Sequence, residues 1–171
     1  MKMLLKIVGG IVAVLLLALV VLRIVGLPPN NTRPGLWLKG NLVTTPVTDW
    51  SFSNQYPTIE LQTHPWYLIP HSVTITCVSY NGNLYLTSGY GKGVEYPNGR
   101  SWHRDIVRDP RVRLKIGDNL YDVKVSYVVT DPAEREPALK AKEHKYPPYG
   151  KYQNPTRPPA PGAHDILLRV N

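Results

Sequence analysis

The sequence nearly lacks cysteine: Cys77 is the only one among 171 residues. A single thiol can form no internal disulfide and cannot build a cysteine-based zinc site. Cys77 lies in a segment of alternating apolar residues, so we expect a buried small side chain and not a nucleophile. The histidines have no ligand spacing such as i,i+4 on a helix, and only His64 and His71 are placed to converge, across a bend. A metal site is therefore not expected.

Recognisable catalytic motifs are also missing. No serine or cysteine lies in the strand–turn–helix elbow of a hydrolase. The glycines of residues 89–93 match neither the Walker loop nor the dinucleotide fingerprint. No side chain stands out as an obligatory acid or base, so the catalytic residues stay unknown.

Acidic residues are the third scarcity, with 12 Asp and Glu against 20 Lys and Arg and a net charge of +8. Lys2, Lys6 and Arg23 belong to an N-terminal segment without acids, which leaves 17 basic and 12 acidic residues, or +5, for the remainder. This surplus suits an acidic ligand, an anionic surface or nucleic acid, and simple solubility explains it equally well.

Residues 7–22 contain no polar side chain, and the apolar run extends past Arg23 to residue 27. This length approaches the about 20 residues that cross a bilayer, and Arg23 can extend its guanidinium to the interface. A cleaved signal peptide is the alternative. Bulky residues occupy the positions where a signal peptidase needs small ones, so we expect an uncleaved single-span anchor.

The sequence thus predicts an anchor over residues 1–27, a Pro-rich linker over 28–35 and one domain over 36–171. The basic residues flanking the span are nearly balanced in number. The very short N-terminal tail with Lys2 and Lys6 favours a cytoplasmic N-terminus, which places the domain on the non-cytoplasmic side.

The domain is predicted to be mainly β. Strands are expected over residues 36–44, 58–63, 72–80, 83–88, 111–116, 121–129 and 163–170. Asn81-Gly82 suits a tight hairpin turn. Ser101 is the expected N-cap of a short helix over 102–108, and Asp131 is that of a helix interrupted at Pro137. Six or seven strands and two short helices indicate a closed or partly closed barrel.

Three segments carry a resemblance to a known family: residues 69–73 before the hairpin, residues 81–88 at its turn and second strand, and residues 100–116 with a basic helix, a proline and a strand. Their order is similar to the FMN-binding split β-barrel of pyridoxamine 5′-phosphate oxidase-like proteins and their relatives, the deazaflavin (F420)-dependent nitroreductases. The similar region, residues 58–130, covers under half of the chain.

The resemblance implies an FMN or F420 cofactor and an oxidoreductase acting on a small acceptor. Hydroxyl and basic side chains would hold the flavin phosphate, with two threonines near the ring. By position the cofactor-binding residues are Thr74, Thr76, Thr87, Ser88, Lys92, Arg100, Ser101 and Arg104. The sequence departs from the family pattern in the longer loop over 94–99 and in Asp105 and Asp109, which stand where asparagine is common. A carboxylate beside a phosphate is unfavourable.

Alternatives remain open. Arg100 and Arg104 either bind an anion or pair with Asp105, Asp109 or Asp122 on the surface. The barrel could be a non-catalytic module that binds haem or another small anion, or a partner at the membrane, and its basic face could lie on anionic lipid. Arg111, Arg113 and Lys115 share a strand face that is either solvated or turned to a second subunit in a homodimer. A nucleic-acid partner is not expected for a membrane-tethered barrel. Trp66, Tyr67 and Tyr90 are expected to pack.

Overall fold

The computed structural model describes residues 2–30, 32–128, 132–147 and 164–171. The helices are α1 (Lys2–Val25), α2 (Ser101–Arg108) and α3 (Pro132–Lys145), and a 3₁₀ turn spans Ser51–Gln55. The strands are β1 (Asn41–Leu42), β2 (Ile59–Thr63), β3 (His71–Tyr80), β4 (Asn83–Tyr90), β5 (Arg111–Ile116), β6 (Asn119–Tyr127) and β7 (His164–Val170).

Six strands close into an antiparallel barrel in the order β6-β5-β2-β3-β4-β7, and pairing between β7 and β6 completes the ring. The short β1 adds to β6 in parallel. Closure removes the unpaired edges that a small open sheet would expose. The predicted split β-barrel of six to seven strands is confirmed.

The apolar alternation along the strands places one set of side chains inside the barrel. Ile75 and Cys77 of β3 lie in the core with Leu61 and Leu114, and Cys77 is fully buried. The side chains at the alternate positions of each strand point outward. The outer face of β3 and β4 has two parts: Val78 and Tyr85 are covered by α3, and the other part lies beside α2.

Helix α1 is exposed along its length and is long and apolar enough to cross a membrane, a test that an N-terminal signal sequence also passes. Gly26 ends it with φ +85°, the left-handed conformation common after a helix C-terminus. The following chain is bound to the barrel. The Leu36 N–H donates to the Leu27 carbonyl (2.7 Å), and Gly35 exchanges two hydrogen bonds with Ser72.

Several details differ from the sequence predictions. The first strand is only two residues long, because residues 36–40 pack against the barrel without joining the sheet. Helix α3 continues through Pro137, since burial of Ala138 against the barrel compensates for the missing N–H. Trp66 and Tyr67 do not pack inside; both are exposed, whereas Tyr90 is buried as expected. Asp131 and most of the Pro- and Tyr-rich segment after Tyr146 lie outside the described residues.

Candidate functional site

A cavity of about 470 Å³ lies on the outer face of the β3–β4 hairpin, between the start of α2 and residues 32–34. Its volume falls within the about 300–1,000 Å³ typical of small-molecule sites. It is lined by Thr32, Arg33, Pro34, His71, Val73, Thr74, Ile75, Thr76, Thr87, Ser88, Gly89, Arg100, Ser101 and Trp102. Six of the eight cofactor-binding residues predicted from the sequence are among them.

The cavity wall is cationic. Arg33 and Arg100 both line it, and none of the described residues in its wall is an aspartate or glutamate. The sequence did not single out Arg33, which lies in the Pro-rich stretch after α1. Its place in the wall follows from the double hydrogen bond between Gly35 and Ser72, which fixes this stretch beside β3. Two guanidinium groups and no carboxylate make the cavity suited to an anion.

Hydroxyl groups form the floor. Thr76 and Thr87 face each other across the hairpin with their Oγ1 atoms 2.6 Å apart, and Thr76 Oγ1 also donates to the Thr87 carbonyl (3.1 Å). Thr87 is buried and Thr74 half-buried. Hydroxyls can donate as well as accept, so this floor can bind either a phosphate oxygen or the polar edge of a ring.

Helix α2 begins at the cavity. The expected N-cap Ser101 is its first residue instead, and Arg100 takes the N-cap position with extended backbone (φ −144°, ψ 140°). No side chain in the described part of the chain caps the helix start. Its first N–H groups therefore lack a side-chain acceptor, and the positive end of the helix dipole favours an anion there.

His103 does not add to the positive charge of this helix. It is fully buried, and burial and the nearby Arg100 guanidinium lower its pKa to about 3, so the ring is neutral. The Tyr90 hydroxyl hydrogen-bonds to His103 Nδ1, and the Tyr96 ring packs on it with centroids 5.1 Å apart. This contact joins the end of β4 to α2 and so positions Arg100. The sequence feature that could have indicated this contact is the alternation of β4, which places Tyr90 inside the barrel.

Two predicted binding residues lie apart from this cavity. Lys92 is exposed on the loop after β4 and is not part of its wall. Arg104 lines an adjoining cavity of about 470 Å³ with Trp66, Tyr67 and Arg108. His71 and Ser101 belong to both walls, so the two cavities are neighbours.

Two aspartates, one within α2 and one directly after it, both lie outside the cationic wall. Asp105 is turned toward β2, where Thr63 Oγ1 donates to its Oδ2 (3.1 Å). Asp109 accepts two hydrogen bonds from the Arg111 guanidinium (2.9 and 2.8 Å) and one from its backbone N–H (3.1 Å), and these contacts lower the pKa of its carboxyl to about 2. The acids expected to oppose a phosphate are thus held elsewhere, and neither forms an ion pair with Arg100 or Arg104 in the described parts of the chain.

The second basic cluster, on β5, is paired. Arg113 bridges to Asp122 at 2.7 Å and Lys115 to Glu60 at 3.8 Å, while Arg111 holds Asp109. Within the described ranges the arginines of the cationic wall therefore differ from the basic residues of β5, because they form no ion pair with a carboxylate. His64 Nδ1 lies 3.0 Å from the Arg111 carbonyl and outside this cavity, so the structure does not bring His64 together with His71 there.

No protein-family model and no curated protein matches the chain. Solved structures do. The haem storage protein HutZ from Vibrio cholerae has a TM-score of 0.50 at 14% identity over 70% of this chain and 84% of its own. An F420-H2-dependent reductase, FDR-A, has 0.46 at 24% identity over 67% and 94%. A NimC/NimA family protein from Clostridium acetobutylicum has 0.47 at 15% over 70% and 76%.

Identities this low describe the fold and not the ligand. The HutZ match and the strand order agree with the architecture expected from the sequence. The chain therefore has the split β-barrel fold that its sequence predicted.

Proposed function

We propose that the cationic cavity binds the phosphate group of a flavin-type cofactor, FMN or F420. The observation that supports this is the composition of the wall: Arg33 and Arg100, hydroxyls of β3 and β4, the start of α2 and, among the residues that the structure describes, no carboxylate. Charge-assisted hydrogen bonds from guanidinium to phosphate contribute about 1.5–3 kcal/mol each. The donor set therefore fits a phosphorylated ligand.

In this proposal each lining group has a role. Arg33 and Arg100 neutralise the phosphate, and Ser101 with the first N–H groups of α2 donates to its oxygens. Thr87 and Ser88 add hydroxyl donors, and Thr74 and Thr76 bind the polar edge of the ring. A flavin or deazaflavin supplies hydride transfer, and the protein holds and orients it. The proposed enzyme would be an oxidoreductase acting on a small acceptor.

The absorbance spectrum of the purified protein tests the proposal. We expect a band of oxidised flavin or deazaflavin, present as purified or after addition of FMN or F420, that is lost in Arg100→Ala. Lys140→Ala, an exposed lysine on α3, is the matched control. A folded protein that stays colourless and ignores both added cofactors would contradict the proposal.

Haem binding is the second candidate. The observation that favours it is His71, which lines the cavity and is a candidate iron ligand, while the arginines would face the propionates. The structural neighbour HutZ is described as a haem storage protein. A Soret band, lost in His71→Ala and kept in Arg100→Ala, would favour this candidate over the first.

We also propose that residues 1–27 form an uncleaved anchor, residues 28–35 a short connection and residues 36–171 a barrel domain on the non-cytoplasmic side. The length and composition of α1 and the two lysines at its N-terminal end, Lys2 and Lys6, support this. An enzyme reporter fused after Asn171 should be active only outside the cytoplasm; cytoplasmic activity alone would contradict the orientation.

A homodimer belongs to the same proposal, and the mass of the detergent-solubilised protein tests it.

A further inference from the structure

The loop between β2 and β3 exposes three consecutive large apolar side chains. Trp66 is 77% exposed, Tyr67 50% and Leu68 91%, and the two aromatic rings meet edge to face with centroids 5.7 Å apart. Leu68 has φ +67°, a left-handed conformation that is unusual for a branched residue. A backbone outlier that directs a leucine into solvent suggests a surface that meets something apolar.

This loop ends close to the C-terminal end of α1. Leu36 is hydrogen-bonded to Leu27, two residues after the helix, and Gly35 to Ser72, the second residue of β3. Leu68 precedes Ser72 by four residues, which span at most about 14 Å. The interfacial layer of a bilayer is about 5–8 Å deep on each side of its hydrocarbon core. A loop this close to the end of a membrane helix can reach that layer.

The charges beside the loop suit a lipid surface. Arg104 and Arg108 line the cavity that Trp66 and Tyr67 border, and Arg108 donates a hydrogen bond to the His64 carbonyl at the start of the loop. Asp105 lines this cavity too, but its carboxylate accepts a hydrogen bond from Thr63 Oγ1. Arg104 has no hydrogen bond or ion pair with the rest of the described chain. Trp and Tyr accumulate at membrane interfaces, and arginine attracts anionic headgroups.

We propose that the β2–β3 loop is a second membrane contact: Trp66, Tyr67 and Leu68 enter the interfacial layer of the bilayer that α1 spans, and Arg104 and Arg108 bind lipid phosphates. The inference rests on the proposed anchoring by α1. It goes beyond that anchoring because the loop contact would hold the barrel at the membrane surface, with the cationic cavity close to the bilayer. With the anchor alone, the domain would be free to move on its connection.

The test uses the full chain in vesicles of phosphatidylcholine and phosphatidylglycerol whose acyl chains carry bromine at a defined depth. Bromine quenches nearby tryptophan, and subtraction of Trp66→Phe isolates the Trp66 emission. Trp50 and Trp102 are buried in the barrel and serve as internal references. We expect loss of most of the Trp66 emission with shallow bromines and less loss with bromines at the bilayer centre. Arg104→Gln should reduce the quenching in anionic vesicles, and Lys124→Gln, an exposed β6 control, should not.

Flotation of the same vesicles after a high-salt wash separates the two proposals. Protein that floats while Trp66 emission is unquenched would overturn the loop contact and leave the anchor intact. Protein that does not float would overturn the anchor and, with it, this inference. Shielding of Trp66 from acrylamide in the dimer but not in the monomer, both in the same detergent, would assign the loop to a subunit interface, which also overturns the proposal.

Discussion

Arg33 and Arg100 are the two residues on which the anion-binding account depends most. They come from parts of the chain that are 67 positions apart, yet both line the same cavity. Arg100 lies where the sequence resemblance predicted a phosphate ligand. Arg33 could not be predicted, because nothing in a Pro-rich stretch indicates which strand it will lie against.

Substitution of Arg33 by glutamine should weaken FMN binding. Loss of one charge-assisted contact of about 1.5–3 kcal/mol raises the Kd by roughly 10- to 100-fold. Fluorescence titration measures the change, and Lys124→Gln, which removes an exposed charge outside this cavity, should leave the Kd unchanged. Equal effects of both variants would mean that only net charge matters.

His103 should make stability depend on pH. Its pKa is 6.5 in the unfolded chain and about 3 in the folded protein, so the unfolded state binds more protons between these values. The contribution of His103 to the free energy of unfolding is therefore fully present above pH 6.5. It is lost as the pH falls toward 3, by at most about 1.4 kcal/mol per pH unit. The steep part of this dependence should disappear in His103→Phe.

Urea unfolding of both proteins between neutral pH and pH 4 measures this difference, in which the shared titration of carboxylates cancels. His144→Phe, a change at an exposed histidine of α3, is the control. A pH dependence that is the same in wild type and His103→Phe would contradict a buried neutral His103.

At the scale of elements, the segment between α1 and the barrel positions Arg33, one of the two arginines of the cationic wall. A Cβ on Gly35 would lie 2.2 Å from the Leu27 carbonyl oxygen and 2.5 Å from the Pro29 nitrogen, so the backbone would have to move. Gly35→Ala should therefore displace Arg33, weaken FMN binding and destabilise the domain by about 1–3 kcal/mol. Gly91→Ala, where a Cβ meets nothing within 4 Å, should change neither the titration nor the melting temperature.

Helix α3 is held to the barrel by a half-buried lysine. Lys145 Nζ donates to the carbonyls of Cys77 (2.7 Å) and Ser53 (3.2 Å), and burial lowers its pKa. Lys145→Met leaves two carbonyls without this donor and should reduce the free energy of unfolding by about 1–3 kcal/mol. Lys140→Met, at an exposed position of the same helix, should be nearly neutral. Equal denaturation midpoints would show that this contact does not stabilise the fold.

Strand periodicity predicted most elements because one face of each strand is buried in a single core. The inward positions of β2, β3 and β5 follow directly from their alternation, and Cys77 is buried as expected. The prediction was wrong where tertiary packing overrides local preference. Pro137 does not interrupt α3, and residues 36–40 are held beside the sheet, where the Leu38 N–H donates to Gln62 Oε1 (2.8 Å).

At the scale of the molecule, the fold was predictable from the order of elements, and most of the candidate site from the resemblance. Thr74, Thr76, Thr87, Ser88, Arg100 and Ser101 do meet at one cavity. Lys92 and Arg104 do not line it, because the loop over residues 91–99 carries Lys92 into solvent and the α2 turn carries Arg104 into the adjoining cavity. Placement of side chains outside a barrel depends on loops and connections, which have no periodic signal.

The central claim is that the cationic wall recognises the phosphate of a flavin-type ligand. Parallel titrations of the full-length protein with FMN and with riboflavin, which lacks the phosphate, test it most directly. We predict that FMN binds at least about tenfold more tightly, the equivalent of one charge-assisted contact, and that Arg33→Gln combined with Arg100→Gln abolishes the difference. Equal affinities for FMN and riboflavin, or a preference for FMN that survives the double substitution, would contradict the account.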